Sequence, residues 1–212
     1  MTGPGSAAGP AGSNFVLAAL CLLEFAGVFP RFSGTLMAIQ FLVIHSSAFI
    51  FTLPFWDIKE SAKPVAFKVL LGLYTLLAFS IDGFFGIAQF AGLTYATYYG
   101  YVLGKDGETG RVPLLLRWLV SFIVFLLAIG ITDAPSDVDS WAGSRRLALT
   151  GALFFGAAGL MELSGFYGEG WRRLLRRAAS RQPQLLSPMP AWVARELDPQ
   201  GTPPPPGGDV RH

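Results

Sequence analysis

The sequence predicts an all-α fold: a polytopic membrane helix bundle of about six transmembrane helices with both ends on the cytoplasmic side. Three observations predict it. Hydrophobic residues make up 52% of the chain and charged residues only 14%, where a soluble domain carries about 25% charged. Mean hydropathy is +0.47. The few charges are clustered, which leaves apolar runs close to the roughly 20 residues a helix needs to cross about 30 Å of hydrocarbon.

Residues 1–13 (MTGPGSAAGPAGS) read as a flexible tail. They hold no Lys or Arg, so the basic region that opens a secretory signal is missing and the next apolar run is read as a retained helix. That first span covers 14–29 and is closed by Pro30. The second covers 36–55, with Pro54 and Trp56 at its exit. The third starts at Pro64, a residue suited to a first helical turn because the N–H it lacks has no partner there. The apolar run from Pro64 to Leu103 is too long for one crossing. Asp82-Gly83 near its middle supplies a polar break and a residue tolerant of tight turns. Spans at 64–81 and 84–103 follow; a single span instead would reduce the count to five and move the C-terminus to the other side. The fifth span runs over 113–132 from Pro113, and the sixth over 147–166.

Charge supports this topology. With six spans, Lys59, Lys63, Lys68, Lys105, Arg111, Arg117 and the basic residues from Arg172 onward fall inside. Only Arg31, Arg145 and Arg146 fall outside, beside an acidic loop holding Asp133, Asp137 and Asp139. This is the positive-inside bias. Aromatic residues agree, since Trp56, Tyr98, Tyr99, Tyr101, Trp118, Tyr167 and Trp171 are all expected at the inner interface, where Trp and Tyr prefer to lie.

Residues 168–182 read as a basic amphipathic helix. Trp171, Leu174, Leu175 and Ala178 share one face and Arg172, Arg173, Arg176 and Arg177 the other. The expected contact is with lipid headgroups through Trp171 and the four arginines, each contributing on the order of 1 kcal/mol near an anionic surface; an ordinary stop-transfer cluster explains the same charges. Residues 183–212 are Pro-rich and expected to be a disordered cytoplasmic tail.

Ionisable and amide groups within spans are costly and are functional candidates by default. Five stand out: Glu24 in the first span, His45 near the centre of the second, Asp82 at the turn between the third and fourth, Gln89 about two turns below it, and Glu162 in the sixth. Glu24, His45 and Asp82 are candidates to meet in the outer half of the bundle, as a proton relay or a cation site. The alternative is that each fixes packing through a hydrogen bond to a neighbouring helix. Glu162 is expected to pair with Arg172 or Arg173. Cys21, the one cysteine, reads as a buried packing residue. The sixth span carries Gly151, Gly156 and Gly159 among alanines and continues to Gly165 and Gly168. Such small residues let helices approach closely, which predicts tight packing, self-association or a membrane-protein partner there.

No motif commits the chain to a reaction. H-E-x-x-H, G-x-S-x-G and Walker A patterns are missing. Two histidines, His45 and His212, cannot build a two-histidine metal or haem site within the membrane. No cofactor or metal is expected. A net charge of +2 gives no reason to expect nucleic acid. The leading expectation is a non-enzymatic accessory, assembly or scaffold subunit. A proton or small-solute transporter using Glu24, His45 and Asp82 comes second, and an intramembrane lipid-modifying enzyme third. The Gly, Ala and Pro-rich tails suggest a GC-rich bacterial genome and hence the cytoplasmic membrane.

Overall fold

The computed structural model describes residues 5–53, 57–102, 111–134 and 144–181. Among them every regular element is helical: α1 (Gly5–Phe25), α2 (Ser33–Thr52), α3 (Lys63–Val102), α4 (Arg111–Thr132), α5 (Arg145–Leu163) and α6 (Trp171–Arg181). A 3-10 turn, Glu60–Ala62, leads into α3, and a π-helical turn, Phe166–Gly170, precedes α6. The chain divides into two units, Met1–Tyr167 and Gly168–His212. The expected Pro-rich tail at 183–212 lies outside the described residues, as do Trp56, Lys105, Asp137 and Asp139.

Helix α1 begins at Gly5 rather than Asn14, so most of the expected flexible tail is helical. Ala7, Ala8 and Ala11 favour that state, and Ala11 is already buried. Its end is a glycine-terminated cap: Gly27 takes φ +77°, with Gly27 N–H donating to Glu24 O and Val28 N–H to Leu23 O. A left-handed residue there satisfies the last carbonyls. Helix α2 starts at Ser33, three residues before the expected boundary, and runs for 20 residues.

The long α3 turns back on itself. Asp82 (φ −149°, ψ 32°) and Gly83 (φ 58°, ψ −138°) leave helical geometry. In a straight helix Ala78 and Gly86 would be separated by about 12 Å of rise. Instead a Cβ built on Gly86 would collide with the Ala78 carbonyl, whose carbon lies 2.9 Å away. The Phe79 and Phe84 rings also meet edge to face at 5.5 Å. Residues 63–81 and 84–102 therefore form two arms of a helical hairpin, with the break at the expected dipeptide.

Side-chain contacts fix the packing of the first unit. Moving back along α1 from Cys21 to Phe15 moves forward along α5 from Gly151 to Gly159, so these helices are antiparallel. Thr132–Thr150, Phe125–Phe154 and Arg117–Glu162 make α4 and α5 antiparallel. Phe41–Phe125 and the bond from Trp118 Nε1 to Ile44 O at 3.0 Å do the same for α2 and α4. A carbonyl well inside α2 thus holds the Trp118 indole N–H.

Glycine decides how close α1 and α5 come. A Cβ on Gly151 would lie 2.7 Å from Cys21 Sγ, and one on Gly159 would lie 2.9 Å from the edge of the Phe15 ring. The glycine-rich face of α5 is thus partly spent inside the bundle. Gly156, with open space around it, is not. Two helices among the described residues are long and apolar enough to cross a membrane, Glu60–Thr94 and Arg145–Leu163. Shorter apolar stretches, Ala11–Phe25, Ser33–Phe49 and Leu116–Thr132, lie within α1, α2 and α4, which have 21, 20 and 22 residues.

Candidate functional site

Beside an apolar core that includes Met37, Phe90, Phe125, Phe154 and Phe155, the first unit buries several polar side chains, and many large apolar ones stand exposed on its outside. Glu24, Ser33, Gln40, Ser46, Ser47, Arg117, Thr132, Thr150 and Glu162 are buried, while Val16, Val65, Val69, Leu76, Phe84, Phe85, Ile131 and Leu160 are all at least 60% exposed. Most of the buried groups have partners that explain them. Thr132 Oγ1 and Thr150 Oγ1 are 2.6 Å apart, while the Ser46 and Ser47 hydroxyls return to Val43 O within their own helix.

Glu24 holds the start of α2. Its Oε2 accepts from Phe32 N–H at 3.0 Å and Ser33 N–H at 2.8 Å, and its Oε1 from the Ser33 hydroxyl at 2.8 Å. No side chain of the N-cap residue Phe32 caps that helix, so the carboxylate from α1 does so. It also places negative charge at the positive end of the α2 dipole.

His45 lies elsewhere. It is twelve residues beyond Ser33, about 18 Å along α2 at 1.5 Å per residue, and therefore out of reach of Glu24. It is exposed among aromatic rings, with centroids 5.6 Å from Phe41, 5.4 Å from Phe49 and 6.2 Å from Tyr74. Asp82 is exposed at the α3 turn. Among the described residues no hydrogen bond or ion pair joins Glu24, His45 and Asp82. Gln89 is half-buried, and its Oε1 meets no hydrogen-bond partner among the described residues.

The buried charges that do converge are Arg117 and Glu162. Arg117 Nη2 pairs with Glu162 Oε1, and both side chains are over 90% buried. Glu162 thus pairs with an arginine of α4 rather than with Arg172 or Arg173. The Tyr167 ring stands 5.0 Å from Arg117 Cζ. This pair forms one wall of a cavity of about 470 Å³, counting the part open to the surroundings. Asn14, Gln40 and Ser121 add polar groups to the lining, and Leu17, Leu93 and Phe154 an apolar surface. Each of the helices α1 to α5 contributes.

Sequence reasoning missed Arg117 as a site residue because it counts equally well as a topogenic charge. The usable signal was its position inside LLLRWLVSF, opposite a carboxylate near the same end of the next span. No group of three or more His, Cys, Asp or Glu side chains that could hold a metal occurs among the described residues. In the second unit, Arg172 Cζ lies 5.5 Å over its neighbouring Trp171 ring, and Arg173, Leu174 and Arg177 are exposed. The Arg176 side chain lies outside the described ones. Comparison with protein-family models, curated proteins and solved structures finds no match to this chain.

Proposed function

We propose that the chain is a multi-pass membrane protein that crosses the bilayer six times and acts, without catalysis of its own, as an accessory, assembly or scaffold subunit. The exposed apolar exterior, together with the polar side chains buried beside the apolar core, supports the membrane part. In water, an exterior of Val, Leu, Ile and Phe at this density would be an aggregation hazard, and the buried polar side chains would bring no advantage. In hydrocarbon both features are favourable, because apolar groups meet lipid tails and polar groups bond across helices. The α3 hairpin and the antiparallel pairings support six crossings.

His45 carries the accessory reading. An imidazole about 18 Å into a helix sits near the hydrocarbon centre, and here it is exposed on the bundle's outer side. Its contacts are with aromatic rings. An ionisable side chain facing lipid tails is costly, and a polar group on an adjacent helix would remove that cost. The neighbouring arm of α3 offers a complementary surface: Val65, Val69, Leu73 and Leu76 are exposed, and Gly72 has open space around it. The separation of Glu24 and His45 along α2 weighs against a direct proton relay or acid–base pair between them.

Photo-crosslinking tests this reading. A photoreactive residue replacing His45 is expected to capture a membrane polypeptide, or a second copy of this chain, in native membranes, while one replacing Ile131 captures lipid. Lipid alone at both positions would refute the accessory role. The crossing number is tested separately in a Cys21→Ala background. Asp82→Cys is expected to react with an impermeant thiol reagent from outside, and Lys59→Cys and Lys105→Cys only after permeabilisation. Labelling of all three from one side would overturn six crossings.

A further inference from the structure

We propose that the Arg117–Glu162 cavity is a binding site for a small zwitterion carrying a primary ammonium and an oxyacid anion, the chemistry of a phosphoethanolamine headgroup. Three observations carry it. First, the two opposite charges stand side by side on the wall of a cavity open to the surroundings, instead of being sealed in apolar packing. A buried pair kept for stability alone is a weak device, because desolvation offsets most of its attraction. Second, Gln40 is only 5% exposed, lines this cavity and forms no side-chain hydrogen bond to another described residue. A polar ligand in the cavity would supply this carboxamide with hydrogen-bond partners. Third, the charged wall lies toward one end of the two helices that carry it. Arg117 lies six residues into α4, about 9 Å from the helix start, and Glu162 is in the last turn of α5.

The charge arrangement selects the ligand class. Arg117 and Glu162 sum to zero, so a simple anion or cation would satisfy one and strand the other. A zwitterion offers its anionic oxygens to the guanidinium and its ammonium to the carboxylate. The ammonium must also donate hydrogen bonds, which a trimethylated choline cannot do. Asn14 and Ser121 can complete the polar shell while Leu17, Leu93 and Phe154 bound it. The source is either a lipid of the surrounding leaflet or a free small molecule.

The test uses the full chain in nanodiscs. Wild-type protein in phosphatidylcholine discs containing equal amounts of phosphatidylethanolamine and phosphatidylglycerol is released into native mass spectrometry, and the retained lipid is counted. In parallel, O-phosphoethanolamine is added to pure phosphatidylcholine discs and the unfolding temperature is read. Two variants serve as controls. Arg117→Gln/Glu162→Gln removes both charges together, so neither is left unpaired; Ala158→Leu fills the cavity wall and keeps the ion pair. About tenfold preferential retention of phosphatidylethanolamine by wild type, lost in both variants, supports the site with a lipid source. A rise in unfolding temperature with O-phosphoethanolamine, also lost in both variants, supports it with a free source. Equal retention by wild type and both variants, or no response to either probe, overturns it.

Discussion

Replacing Glu24 with alanine separates a capping carboxylate from a transport carboxylate. Three hydrogen bonds are removed, two from backbone amides at the start of α2 and one from the Ser33 hydroxyl. Losing a helix cap costs about 1 kcal/mol. Each buried donor left without an acceptor costs about 1–3 kcal/mol, although interhelical bonds measured in membranes average only about 0.6 kcal/mol. Weighting toward the membrane value, Glu24→Ala should destabilise the bundle by about 2–3 kcal/mol. Glu24→Gln keeps one carbonyl oxygen for the amides and loses the charge that favours the α2 dipole, worth up to about 1 kcal/mol. Its cost should therefore be less than half that of alanine. The assay is reversible unfolding in mixed micelles with increasing dodecyl sulfate, followed by tryptophan fluorescence. Ser33→Ala and the double variant complete a cycle whose coupling energy should be about 1 kcal/mol. Glu24→Ala within about 0.5 kcal/mol of wild type would refute the capping argument. A Glu24→Gln variant that unfolds normally yet loses a proton or solute flux would return Glu24 to the transport hypothesis.

Three further outcomes follow from contacts. Gly151→Ala places a methyl 2.7 Å from Cys21 Sγ and should cost about 1–3 kcal/mol by overpacking. Adding Cys21→Ala removes that sulfur, leaving neighbours at 3.5 Å, and should restore most of the loss in the same unfolding assay. Gly86→Val cannot coexist with the Ala78 carbonyl, so it should open the α3 hairpin and make Asp82→Cys unreactive from outside. Unchanged labelling would show that the arms do not approach as described. For α6, nitroxide labels at positions 173 and 174 should differ by electron paramagnetic resonance in anionic vesicles. Position 174 should be more accessible to oxygen and position 173 to a water-soluble nickel complex; equal accessibility would leave the arginines as ordinary orientation signals.

The fold was legible in the sequence where one residue decides a local conformation. Asp82-Gly83 marks the α3 reversal because few dipeptides combine a polar side chain with access to positive φ inside an apolar run. A helix start at residue 14 is misplaced for the opposite reason. The Gly and Pro content of the first thirteen residues argues for irregular chain, whereas the helix propensity of Ala7, Ala8 and Ala11 carries α1 back to Gly5.

Charge pairing was not legible, because it depends on which helices become neighbours. Glu24 reads equally as a relay carboxylate or a cap until the α1–α2 turn brings Ser33 to it. Arg117 and Glu162 lie 45 positions apart, and nothing in either local sequence selects the other over the arginines that follow Glu162.

The two buried carboxylates also differ in when they can be satisfied, and that difference bears on assembly. In the proposed membrane bundle, Glu24 finds its partners within nine residues, so α1 and α2 would enter the bilayer as a hairpin whose carboxylate is already bonded. Arg117 meets Glu162 only once α5, which is made later, has docked. An arginine within an apolar helix raises the free energy of insertion by about 2.5–3.5 kcal/mol at the helix centre, less near the end, where its long side chain reaches the interface. Its place six residues into α4 is therefore one an arginine can occupy alone while the chain is incomplete. Docking of α5 then closes three contacts together: the glycine face on α1, the Thr132–Thr150 bond and the Arg117–Glu162 pair. The polar cavity exists only after that step, because its walls come from both α1 and α5. A ligand bound there would stabilise the finished bundle over any state in which α5 has not docked.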